Sequence, residues 1–100
     1  MIVVSHSNGE IKIEGHAGYA KMGEDIVCAA VSALTLTFIA SVEELTQDNL
    51  KCDIKAGNTF IQYRNLSAAA KLLLDSFFVG IRMIADDYPD YVRVTRRESL

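Results

Sequence analysis

The stretch from Ile26 to Val42, IVCAAVSALTLTFIASV, is the strongest constraint on what this chain can fold into. A helix lying on a protein surface carries one apolar stripe and one polar face. This run is apolar nearly all round, so as a helix it must be covered on more than one side. Its length approaches a short membrane span. However, Ser32, Thr35, Thr37 and Ser41 interrupt it, and a span needs roughly 20 mostly apolar residues. It reads as a buried helix of a globular domain running to about Leu45. Asp25 is placed to cap it, because an aspartate carboxylate accepts from the unpartnered amides of the first turn.

Alternating patterns flank this helix. IVVSH and IKIEG surround Asn8-Gly9, whose tolerance of positive φ suits a tight two-residue turn. LKCDIKA sets Leu50, Cys52, Ile54 and Ala56 on one face, against Lys51, Asp53 and Lys55 on the other. Gly57-Asn58 reads as a turn into the partner strand TFIQYR. Ser67 is a cap for a second helix from Ala68 to about Asp86, with Leu73, Phe77, Ile81 and Ile84 as its apolar stripe and Leu72, Val79 and Met83 on a different side. Pro89 opposes continuation, and YVRVT is a short last strand with Val92 and Val94 inward. The order ββαββαβ predicts one α+β domain over residues 1–100, a two-layer arrangement with a mostly antiparallel sheet and two long helices on one face. The helices carry more apolar surface than one sheet face covers, which predicts a homodimer.

Charge and cysteine usage narrow the function classes. A net charge of -3 disfavours a module held to nucleic acid by phosphate contacts. The one basic cluster, Arg93, Arg96 and Arg97 beside Glu98, reads as a solvated tail. MIVVSHSNGEIK lacks the basic start, long apolar segment and cleavage site of a secretory signal. Two cysteines in such a chain predict free thiols in the cytoplasm, with a Cys28–Cys52 disulfide as the minor reading. Two histidines and two dispersed cysteines make no metal site, and no membrane association is expected.

The chemistry concentrates in EGHAGYAKMGEDIVCAAVSALT, Glu14 to Thr35. With Asp25 as cap, Cys28 falls at the third helical position, where amides are unpartnered and the helix dipole is positive. Both favour thiolate over thiol. His16, at the end of the second strand, is within folding reach to take the thiol proton and return it to a leaving amine. The Cys28 amide is expected to help bind an oxyanion. The plainer reading is that Cys28 packs in the core, as free cysteines commonly do. Cys52, alternating with Leu50 and Ile54, is assigned to the core, and His6 to a structural or exposed position. Asp25 is a cap first and an orienter of His16 second. Ser32 shares a helix face with Cys28 and either lines the site or bonds its own backbone. Ala17, Gly18, Tyr19, Met22 and Gly23 belong to a loop that either closes on a ligand or is plainly mobile.

These residues also carry a resemblance. Gly15-His16-Ala17, the string Gly23-x-Asp25-Ile26-Val27-Cys28 and the following Ala29-Ala30-Val31-Ser32 look like the signature of the ribosomal-processing cysteine proteases, Prp, of Firmicutes and related bacteria. Length and element order agree over nearly the whole chain, although only this stretch is specific. The resemblance implies Cys28 as nucleophile and His16 as base and acid. It also implies a dimeric α+β domain, a loop that is mobile when empty, and no cofactor. The implied substrate is the N-terminal extension of a large-subunit ribosomal protein reaching toward the peptidyl transferase centre, cut after a hydrophobic, aromatic-containing sequence. A non-catalytic assembly factor binding the same ribosomal protein is the alternative, and an RNA-binding module is a more distant one.

Overall fold

The computed structural model describes residues 1–96. Strands β1 (Ile2–Ser7) and β2 (Glu10–Glu14) precede helix α1 (Ile26–Leu45). Strands β3 (Lys51–Lys55) and β4 (Asn58–Gln62) precede α2 (Ala68–Asp87), and β5 (Val92–Arg96) closes the order ββαββαβ. The strands form one sheet in the order β3-β4-β2-β1-β5. Among the described residues only the β1–β5 pair is parallel; the others are antiparallel. The α+β architecture is therefore as the pattern predicts.

Register explains which side chains the helices cover. Val4 faces Ile13, His6 faces Ile11, Ile2 faces Val92, and Ile11 faces Ile61. All are buried, as period-two alternation on a half-covered sheet requires. Against this face α1 buries Val27, Val31, Thr35, Phe38, Ile39 and Val42, and α2 buries Ala70, Leu74, Phe77, Phe78 and Ile81. Phe38 and Phe77 join the helices, with ring centroids 5.3 Å apart. The axes come close at Gly80, where a Cβ would lie 2.8 Å from Leu34 Cδ1. The Thr35 hydroxyl, buried in this layer, donates to the Val31 carbonyl at 2.8 Å, so it costs little there.

Length and composition alone would let α1 cross a membrane, yet its six core residues pack into the helix–sheet layer. Its coverage is one-sided: Ile26, Leu36 and Leu45 are exposed. On α2 the buried set includes Leu74 and Phe78, while Leu73 and Ile84 are only half-buried. The helix meets both the sheet and α1, so its inner face is wider than a single stripe.

Further positions depart from the sequence pattern. Cys52 is exposed rather than in the core. It opposes Ile61 and so points to the helix side, but β3 is the edge strand and every one of its residues is exposed. Ile54 is likewise exposed, against the expected inward role. The turn after β3 is Ala56-Gly57, since Lys55 pairs with Asn58, which already belongs to β4. His6 takes the structural of its two expected positions: it is buried next to the Phe78 ring, its Nε2 is hydrogen-bonded to the Tyr63 hydroxyl and its Nδ1 accepts from Arg96 Nε at 3.2 Å. Arg96 is not part of a solvated tail: it pairs with Asp75 at 2.7 Å and stacks over Phe78. Arg97 and Glu98 lie outside the described residues.

Candidate active site

The end of β2 and the start of α1 meet at one corner of the sheet. Asp25 caps α1 as its position dictates: Oδ1 accepts from the amides of Val27 at 3.0 Å and Cys28 at 2.9 Å. Its Oδ2 accepts from the amides of Tyr19 and Ala20 at 3.1 and 3.4 Å. One carboxylate thus ties the loop after His16 to the helix carrying Cys28. The Cys28 amide, then those of Ala20 and Tyr19, hold the Asp25 carboxyl below the usual carboxylate range.

This cap removes one expected role. The Cys28 amide is taken by Asp25 and is not available to an oxyanion. The same spacing rule that identified Asp25 as the cap assigns that amide to it. Asp25 is also no orienter of the histidine, because its carboxylate is engaged by four amides and by the Cys28 side chain and, among the described residues, nothing hydrogen-bonds the His16 ring.

Cys28 is half-buried, with its free thiol at the third position of α1. The Ala17 amide donates to its sulfur at 3.3 Å. An amide hydrogen and a helix N-terminus both place partial positive charge near that atom, and the Asp25 carboxylate hydrogen-bonds the same side chain. His16 is exposed, and its ring lies against the Ala56-Gly57 turn, since a Cβ on Gly57 would sit 2.6 Å from Nε2. His16 and Cys28 line a single cleft of about 350 Å³. Val31, Ser32, Thr35 and Leu36 of α1 form one wall, and residues 54–59 form the other. Ser32 lines this cleft, exposed, one turn along the helix from Cys28.

The loop is anchored at its start. Ala17 is buried, and the Tyr19 ring stands edge-on to Tyr88 and Tyr91, with centroids 5.5 and 5.2 Å away. Met22 is 93 % exposed at the tip, so the far end of the loop is the part without packing. Neither Gly57 nor the tyrosine pair was legible as part of the site. Both lie far from the signature in sequence, and only strand pairing brings them to it.

Cys52 offers a contrast. Desolvation, helped by the Glu43 carboxylate, pushes its thiol up. Among the described residues no group of histidine, cysteine and carboxylate side chains could hold a metal ion.

A thiol on a helix N-terminus and an imidazole lining the same cleft, on an α+β scaffold, meet the chemical requirements of a cysteine hydrolase. The comparison with known proteins narrows that class. The model of the family described as cysteine protease Prp matches residues 1–93, so the chain belongs to that family and is a cysteine protease. It is 30% identical over 100 residues to the ribosomal processing cysteine protease Prp of Bacillus subtilis, covering 91% of this chain and 89% of that one. It is 31% identical over 103 residues to the Mycoplasma genitalium protein of the same name, covering 99% and 98%. The fold superposes with a TM-score of 0.90 on the Staphylococcus aureus Prp crystal structure that holds a covalently linked product peptide, at 24% identity, covering 97% of this chain and all 100% of that one.

Proposed function

We propose that this protease removes the N-terminal extension of a large-subunit ribosomal protein, the one reaching toward the peptidyl transferase centre, using Cys28 and His16 as a catalytic dyad. The observation that supports the reading is the shared cleft, which Cys28, its sulfur under the Ala17 amide, and His16 both line. The names of the relatives, as ribosomal processing proteases, supply the substrate class.

His16 takes the proton of the Cys28 thiol, and the resulting thiolate attacks the carbonyl carbon of the scissile bond. The carbonyl electron pair moves to oxygen, giving a tetrahedral oxyanion. As that pair returns, the C–N bond breaks and the amine leaves with the proton from the imidazolium. The thioester left on Cys28 is attacked by a water that gives its proton to His16, and thiol is regenerated as the acid product departs. The apolar side chains of Val31, Leu36 and Ile54 suit a hydrophobic segment of peptide, while the loop over residues 17–24 orders around it.

The protein acts in the cytoplasm, where its two free cysteines stay reduced. It acts as a homodimer, since Leu72, Val79 and Met83 on the outer face of α2 remain exposed in the single chain. Sedimentation at micromolar concentration tests this, and a monomer would contradict it.

The test of the function is incubation with a peptide carrying the ribosomal extension, read by mass spectrometry. One cut after the aromatic-containing sequence is expected. An intact peptide, or cleavage unchanged by Cys28→Ala, would overturn the assignment.

A further inference from the structure

The His16 imidazole has no hydrogen-bonding side chain to hold it among the described residues, yet an acid–base group works only when its position is fixed. What lies against it instead is backbone. A side chain at Gly57 would place its Cβ 2.6 Å from His16 Nε2, nearer than real Cβ contacts come, and 3.0 Å from Cε1 and 3.3 Å from Cδ2, tighter than most. The turn is also tied directly to the residue before the histidine: the Gly15 amide donates to the Gly57 carbonyl at 2.8 Å. Both Gly57 and His16 line the catalytic cleft. The β3–β4 turn therefore fixes the strand end on which His16 stands, and its one bare Cα leaves the space that the ring fills.

We propose that Gly57 is a positioning residue for the His16 imidazole, so that the absence of a side chain in the β3–β4 turn is a requirement of catalysis and not only of the turn. This rests on His16 being the acid–base group.

Gly57 also has φ +72°, a region that L side chains rarely adopt. A turn requirement alone would explain a glycine there, and the two causes make different forecasts. Asparagine tolerates positive φ far better than alanine does, but carries the same Cβ. If the turn were the whole reason, Gly57→Asn would behave as wild type. If the ring's place is the reason, Gly57→Asn folds normally and still displaces His16. The atom in the way is the far end of a side chain, so the ring yields and the fold does not.

The experiment compares wild type, Gly57→Asn, Gly57→Ala and His16→Ala on the extension peptide, with thermal unfolding alongside. Gly57→Asn is expected to unfold near the wild-type temperature, to keep KM, and to lose about 10²-fold in kcat, the scale for a catalytic group moved by about an ångström. Gly57→Ala should lose the same activity and also stability. In wild type, a nuclear Overhauser contact between the His16 ring protons and the Gly57 α protons is expected, and Gly57→Asn should shift the ring resonances. Wild-type kcat in Gly57→Asn, or no such contact, overturns the proposal while leaving the dyad intact if His16→Ala is inactive. An active His16→Ala overturns the dyad, and the proposal with it.

Discussion

The Ala17 amide points at the Cys28 sulfur, 3.3 Å away, so the residue next to His16 is itself in contact with the thiol. The contact joins the loop to the thiol through backbone, and the condition of the loop is therefore sensed at the sulfur. The Asp25 clamp reinforces the link, because the same carboxylate that caps α1 also holds Tyr19 and Ala20.

The two thiols should separate under alkylation. Cys28 sits under an amide and a helix terminus, while desolvation and Glu43 push the Cys52 thiol up. Iodoacetamide at neutral pH is expected to label Cys28 at least about tenfold faster than Cys52, since the thiolate is the reacting form. Peptide mapping after a timed quench reads the ratio, and faster labelling of Cys52 would contradict the electrostatic account.

The loop should loosen when its aromatic anchor is cut. Tyr19 stands edge-on to Tyr88 and Tyr91, and such pairs contribute about 0.5–1.5 kcal/mol each. Tyr19→Ala is predicted to raise hydrogen exchange at the Ala17 amide several-fold, with exchange in the sheet unchanged. Unaltered exchange at Ala17 would mean the anchor does not govern the sulfur contact.

Acid should release two clamps together. Asp25 is held below its usual range chiefly by the Cys28 amide, and Asp48 chiefly by the Ser67 side chain, then its amide, at the start of α2. A carboxylate whose folded pKa is depressed adds stability above its unfolded value, near ~4, and loses it as pH falls through the folded value. Wild type should therefore lose more stability between neutral pH and pH ~3 than the Asp25→Asn, Asp48→Asn double variant. Denaturant titrations at the two pH values measure the difference, and equal losses would contradict it.

Phe78 should dominate the core. It is fully buried against Phe77 and His6, with the Arg96 guanidinium over its face. Phe78→Ala is expected to cost about 3–5 kcal/mol in urea unfolding, a large part of the stability of a domain this size. A cost below about 1 kcal/mol would show that the site collapses around the lost ring.

Much of this was legible in sequence for local reasons. Asp25 and Ser67 cap their helices because caps depend on the neighbouring residues alone, and strand alternation marked the inward side chains of β1 and β2. A short, contiguous signature marks Cys28 and His16 as the candidate pair, and both line one cleft. What failed depends on the sheet order, which no local pattern encodes. Cys52 points to the correct face but sits on an uncovered edge strand, and Arg96 turned inward to Phe78 and Asp75 because β5 lies beside β1. Gly57 reaches His16 only because β4 pairs with β2.

The central claim is that Cys28 forms the bond to the substrate. Acid-quenched turnover of the extension peptide, followed by intact-mass measurement and peptide mapping, should trap the acyl fragment as a thioester on Cys28, with none on Cys28→Ala protein. An acyl group found on Cys52, or full turnover by Cys28→Ala, would contradict it.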